Sequence, residues 1–226
     1  LNKDSYTWLG ASYTNDIKEA ASLDFIAENN TFSVINPRNL NISKFYKYKV
    51  ANLFIEHDIQ PNLESVLKLS AGEFEPTFEY KYISNQKLLS EFNLTTATLG
   101  FHYSPKNEYM NSPIGKTRIK NAFPQYTLQV TKSFDNILDG DFNFTQVNFK
   151  IKHQLKKLRG SSTRFLLQGG IVFGKAPITH LYNSTPNYTF KNPWTKRITF
   201  AGKNSFETMG YNEFISDKYA MFQVKH

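Results

Sequence analysis

The chain has 226 residues, a formal net charge of +8, 20 Phe and 13 Tyr against 11 Gly and 9 Pro, and no Cys. Without Cys it has no disulfide framework, no thiolate nucleophile and no Cys-based zinc or iron–sulfur site. No apolar run approaches the roughly 20 residues of a membrane-spanning helix, and mean hydropathy is −0.48.

Taken in chain order, apolar and polar residues alternate in run after run, the period of a strand with one greasy and one wet face. The runs predict strands at about 5–15, 19–28, 44–58, 62–71, 74–83, 90–104, 123–135, 142–156, 162–175, 198–208 and 214–226. In the sixth, Ala97, Leu99, Phe101 and Tyr103 alternate with Thr96, Thr98 and His102. In the seventh, Tyr126, Leu128 and Val130 alternate with Gln125, Thr127 and Gln129. In the eighth the parity flips, with Phe142 and Phe144 on even positions and Val147, Phe149 and Ile151 on odd ones. Either a β-bulge shifts the register near Thr145-Gln146, or the two Phe face the lumen or a loop. In the ninth, Phe165, Leu167, Ile171 and Phe173 share one parity.

Connectors carry turn chemistry. Asn29-Asn30 and Asp135-Asn136 join strand-like runs, Asp139-Gly140 suits a hairpin because Gly accepts positive φ, and Arg159-Gly160-Ser161-Ser162 is a tight polar turn. Longer loops run from 105 to about 122 and from 176 to about 197, the second holding Pro177, Pro186 and Pro193. Several strands reach the roughly 9–11 residues of a tilted transmembrane strand. Long aromatic strands without helices between them predict an all-β fold: an antiparallel transmembrane β-barrel, with long loops on one side and tight turns on the other. One domain spans 1–226. Leu1 is not an initiator Met and the chain stops at Val224-Lys225-His226 in mid-strand, so it reads as the interior of a longer polypeptide.

Candidate chemical motifs have plainer structural explanations. His57, His102, His153, His180 and His226 are scattered; His57-Asp58 is adjacent in sequence, and adjacent strand residues point to opposite faces. Glu73/Glu75 and Glu207/Glu213 are the nearest approach to a carboxylate metal pair, and solvated rim charges explain them. Asp139-Gly140-Asp141 lacks the further acidic positions of a calcium loop. Gly170-Ile171-Val172-Phe173-Gly174-Lys175 is one residue short of a phosphate loop and sits in strand; its glycines suit bending or a close contact with a loop. No catalytic residue, cofactor or metal site is therefore assigned. The basic cluster Lys150, Lys152, Lys156, Lys157 and Arg159 is read as a wet turn or an inward-facing patch. Basic and acidic residues interleave elsewhere, which argues against nucleic acid as a partner. Lipid contact is assigned to Leu99, Phe101, Leu128, Val130, Phe165, Leu167, Ile171 and Phe173.

Three stretches point further: Phe101-His102-Tyr103-Ser104-Pro105-Lys106-Asn107-Glu108-Tyr109 with Ser112-Pro113-Ile114-Gly115-Lys116; Phe123-Pro124-Gln125-Tyr126-Thr127-Leu128-Gln129-Val130-Thr131-Lys132; and Tyr211-Asn212-Glu213-Phe214-Ile215-Ser216-Asp217-Lys218-Tyr219-Ala220. In this order they resemble a group of Gram-negative outer-membrane proteins of unknown function, often labelled TonB-dependent-receptor-like. Full-length members carry a carboxypeptidase-regulatory-like domain ahead of a barrel similar to that of the outer-membrane-assembly and two-partner-secretion superfamily. The resemblance implies the bacterial outer membrane, with lipid, lipopolysaccharide and other outer-membrane or periplasmic proteins as partners. Insertases of that superfamily carry a hydrophobic-Arg-Gly-aromatic tetrad on an inserted loop. The loop at 176–197 has none, and Leu158-Arg159-Gly160-Ser161 ends on the wrong residue. The expectation is a non-enzymatic barrel serving as a structural or accessory subunit, with residues 105–120 and 176–197 contacting a partner or plugging the lumen. A pore for an anionic or peptide solute and a soluble β-sheet binding domain are the alternatives.

Overall fold

The computed structural model describes residues 6–28, 44–84, 87–112, 115–120, 122–157, 160–183, 185–188, 204–210 and 213–226. Fourteen strands follow in order: β1 Thr7–Glu19, β2 Phe45–Gln60, β3 Leu63–Pro76, β4 Tyr82–Ser84, β5 Lys87–Leu89, β6 Phe92–Tyr103, β7 Glu108–Ser112, β8 Gly115–Lys120, β9 Gln125–Phe134, β10 Phe144–Lys156, β11 Ser162–Gly174, β12 Pro186–Tyr188, β13 Phe206–Gly210 and β14 Lys218–Lys225. Among the described residues one 3-10 turn, Ile178–His180, interrupts them.

Eight strands form one antiparallel sheet in the order β1-β2-β3-β6-β9-β10-β11-β14. The all-β antiparallel expectation holds. Among the described residues the sheet is open, with β1 and β14 as its edges. Three two-stranded sheets, β4-β5, β7-β8 and β12-β13, decorate the connections.

Pairing register locks the parity of all eight strands. One cross-strand row reads Leu9, Ile55, Leu67, Leu99, Val130, Val147, Ile171. The adjacent row on the opposite face reads Phe54, Lys68, Thr98, Thr131, Gln146, Val172. Directly opposed residues share a face, so one side is apolar across the sheet and the other mostly polar. The pairing of β10 with both neighbours is unbroken from Phe144 to Lys152. No bulge shifts it, and Phe144 faces the polar side, where it is buried.

Four expectations are corrected. Residues 19–28 are not a strand: β1 ends at Glu19 and the chain turns at Ala21, whose φ is +58°. Ala20-Ala21-Ser22 has no β-branched or aromatic side chain to continue the ladder. The run at 74–83 is no separate strand, because β3 continues through Phe74 to Pro76. Residues 105–122 contain the β7-β8 hairpin. That connection also lies at the same end of the sheet as the short turns 61–62 and 157–161, so long loops are not confined to one end. Asn29-Asn30 and residues 198–203 lie outside the described residues.

Two turns show where sequence chemistry holds and where it is displaced. Gly160 carries φ +85° in the β10-β11 turn, where its N–H reaches Lys157 O and Lys157 N–H reaches Ser161 O. In the β9-β10 turn, positive φ falls on Asn136, Leu138 and Asp139 instead of Gly140. Gly140 is required there for a different reason, since any Cβ would collide with the carbonyl of Phe134.

The packed core sits on the polar face near one end. Phe74 stacks on Phe92 at 5.6 Å, Phe142 lies 4.8 Å from Tyr82, and Tyr46, Phe144 and His180 complete the cluster. We call this the inner face, because residues 20–28 and 176–183 also lie on it.

Candidate functional site

The inner face inverts the usual composition of a buried surface. Its buried residues include Asn52, Thr98, Thr127, Gln129, Gln146 and Asn148. Buried polar groups need hydrogen-bond partners, and most of these find them in cross-strand pairs and in the two covering segments, whereas Asn148 Nδ2 has none among the described residues. Thr98 Oγ1 meets Thr131 Oγ1 at 3.1 Å.

Residues 20–28 leave the end of β1 and run down the inner face. The Ile26 N–H donates to Gln129 Oε1 at 2.8 Å, and Gln129 Nε2 donates to Asp24 O at 3.1 Å. Gly100 makes room: a Cβ there would lie 2.9 Å from Ile26 Cγ1 and 3.3 Å from Ala27 Cβ. The segment ends in a charge clamp. The Glu28 carboxylate accepts from Lys150 Nζ at 2.9 Å, Lys152 Nζ at 2.7 Å and Thr127 Oγ1 at 2.9 Å. Thr127 has one hydroxyl proton, spent on Glu28, so its 3.0 Å contact with His102 Nδ1 requires His102 to donate. Burial alone would raise the Glu28 carboxyl, but Lys150 and Lys152 outweigh it and hold it at about 2. Lys150 also lies 4.5 Å over the Phe25 ring. Asp24 pairs with Lys18 at 2.6 Å, which overcomes burial and lowers its carboxyl too.

The second covering segment, 176–183, is tied to the first by the Ala21 N–H, which donates to Thr179 O at 3.0 Å. Tyr182 donates to Asn148 Oδ1 and its hydroxyl sits where a Cβ at Gly170 would be. Gly170 therefore serves a close loop contact, one of the two roles its place in a strand suggests. His180 is half-buried against the inner face, and this desolvation, with Lys18 nearby, lowers its imidazole to about 3, so it is neutral at pH 7.

The opposite, outer face carries all eight residues assigned to lipid contact. Leu99, Leu128, Leu167 and Phe173 are exposed, Leu128 at 44%, and Phe101, Val130, Phe165 and Ile171 are half-exposed. Leu9, Ile55, Leu67, Phe149 and Phe222 extend the same surface. The apolar stretch has polar borders. At one border Lys49 meets Glu73 and Lys47 meets Glu75, each at 3.5 Å. At the other, Thr7 meets His57 at 2.8 Å and Tyr103 stacks with Tyr126 at 6.1 Å.

The basic cluster divides. Lys150 and Lys152 face inward onto Glu28, whereas Lys156 and Lys157 are exposed at the turn; Arg159 lies outside the described residues. Sequence reasoning missed Glu28, Asp24, Lys18 and Lys68, because 19–28 and 62–71 were assigned to strands and Lys18 fell between two of them. The one available signal was the small-residue break at Ala20-Ala21, which ends the alternation before Asp24. Glu73 and Glu75 pair with lysines, and Glu213 Oε2 accepts from the Gly210 N–H at 3.0 Å. Among the described residues no three His, Asp or Glu converge to hold a metal ion.

No curated protein matches the chain. A match over residues 2–226 to the model described as Family of unknown function (DUF5686) C-terminal domain places it in that family: the chain belongs to it.

Proposed function

We propose that this sheet is part of the wall of a transmembrane β-barrel in the outer membrane of a Gram-negative cell. There it serves as a non-enzymatic structural or accessory subunit of a biogenesis, secretion or uptake complex. The observation that carries the reading is the distribution of exposure. Leucine and phenylalanine face outward across every strand of the sheet, while amides and hydroxyls are buried on the other side. Contiguous apolar patches on soluble monomers rarely exceed a few hundred Å², and a face built from eight long strands is larger.

Its dimensions suit a bilayer. Between the outward residues Lys49 and His57, β2 rises about 27 Å at about 3.4 Å per residue. A tilt of about 40° reduces this to roughly 20 Å along the membrane normal, near the roughly 25 Å belt of outer-membrane barrels. The charged pairs at one border and the stacked tyrosines at the other belong where the belt meets headgroups. The two segments laid on the inner face favour an occluded barrel over an open pore.

Separation of Gram-negative envelope membranes tests location: the protein sediments with outer-membrane material and resists carbonate extraction. Recovery in the aqueous fraction overturns the reading. Purification of the native assembly in mild detergent then identifies co-purifying envelope proteins, and purified protein in planar bilayers stays silent. A stable, anion-selective conductance would favour the pore alternative.

A further inference from the structure

The inner face holds a hollow of about 380 Å³ between residues 22–26 and strands β1, β2, β3, β6 and β9. This volume lies within the range of small-molecule sites. Its charges do not cancel. Lys18 is neutralised by Asp24 at 2.6 Å, and His180, which also lines the hollow, is uncharged. Lys68 remains. It is half-buried on β3, faces inward, and makes no hydrogen bond or ion pair within 4.0 Å among the described residues.

A partly buried ammonium without a counter-ion is costly, and this one offers three donors. The pairing register places Thr98 directly opposite Lys68, and Thr131 directly opposite Thr98. These two hydroxyls share one hydrogen bond of 3.1 Å. They have two protons between them, so one remains to be donated. Ser22 lines the same hollow, and its Oγ has no partner among the described residues. An ammonium and a spare hydroxyl proton in one cross-strand row are the donor set an oxyanion needs. The rings of Tyr48 and Phe74 form an apolar wall further along the hollow, which a bare inorganic ion would leave unused.

We propose that this hollow binds a small organic oxyanion, with its carboxylate or phosphate group on Lys68 and the Thr98–Thr131 pair and its carbon body toward Tyr48 and Phe74. The site depends on the inner face alone, so it stands or falls separately from the membrane reading.

The test uses the whole chain in mild detergent, titrated by calorimetry with phenyl phosphate, with benzoate, and with benzamide as the uncharged match. The two anions bind saturably, and benzamide binds at least about tenfold more weakly, as loss of a charge-assisted hydrogen bond requires. Lys68→Gln lowers anion affinity by about tenfold or more, while Lys157→Gln at the exposed turn leaves it unchanged. Independently of any variant, saturating phenyl phosphate protects Lys68 from acylation in the wild-type chain, read by mass spectrometry. Absence of saturable binding, equal affinity for benzamide, or unprotected Lys68 overturns the proposal, as does a folded K68Q protein with wild-type affinity.

Discussion

Replacing Glu28 by Gln removes the charge that holds residues 20–28 on the inner face. Three donors converge on this carboxylate at 2.7–2.9 Å. The side chains are mostly shielded: Glu28 is 13% exposed, Lys150 15% and Lys152 31%. A carboxyl held at about 2 instead of near 4.5 corresponds to about 3 kcal/mol of stabilisation. Removing one partner of a buried pair costs about 3–5 kcal/mol, and the partial exposure of Lys152 puts this site at the lower end. About 3 kcal/mol shifts the docking equilibrium of the segment by roughly a hundredfold. The Ile26 N–H, bonded to Gln129 Oε1, is the reporter. Its hydrogen exchange accelerates by up to about a hundredfold in E28Q, while amides in the middle of β9 and β10 keep their protection. Because the bound carboxyl titrates below its free value, the protection in the wild type is complete above about pH 4.5 and is lost as pH falls toward about 2. Unchanged Ile26 exchange in E28Q at pH 7 would refute the clamp.

Three further outcomes follow from the same geometry. Gly100→Val drives a side chain into Ile26 and Ala27; overpacking of this kind costs about 1–3 kcal/mol and accelerates exchange in 20–28 while the circular-dichroism signal of the sheet is kept. His180 is neutral in the folded chain with its imidazole at about 3. The unfolded state therefore takes up a proton that the folded state refuses below about pH 6.5. Stability falls by up to about 1.4 kcal/mol per pH unit there, and denaturant titrations of His180→Phe lack that component. Leu128→Lys, at an exposed outward position, costs about 2–4 kcal/mol for protein folded in a bilayer, measured by guanidinium unfolding against the wild type. In water a surface change of this kind stays within about 0.5 kcal/mol.

Much of the sheet was legible because its two faces meet different surroundings. Period-two alternation in 90–104, 123–135 and 162–175 locates β6, β9 and β11, and even the aberrant parity of Phe142 and Phe144 has a simple cause. Both belong to the aromatic cluster on the inner face, Phe144 as the first residue of β10 and Phe142 just ahead of it, so within β10 the alternation is kept and only the polarity rule fails locally. The covering segments were not legible. Phe25, Ile26 and Ala27 resemble a strand in composition, and nothing local says that Lys150 and Lys152, more than a hundred residues away, are where Glu28 docks. Long-range charge pairing leaves no periodic trace. The carrier of positive φ in the β9-β10 turn was equally hidden, because Gly140 is selected by the nearby Phe134 carbonyl and not by its own backbone angle.

The central claim concerns what touches the outward side chains. The chain has no Cys, so single cysteines at Leu53, Leu67, Leu128 and Phe149 give unambiguous nitroxide labels, with Ser70 and Thr98 as inward controls. In protein reconstituted into lipid, oxygen relaxes the four outward labels strongly and a water-soluble nickel chelate hardly reaches them. If the chelate collides with those four as freely as with a label at exposed Lys156, the outer face does not lie in hydrocarbon and the account is wrong.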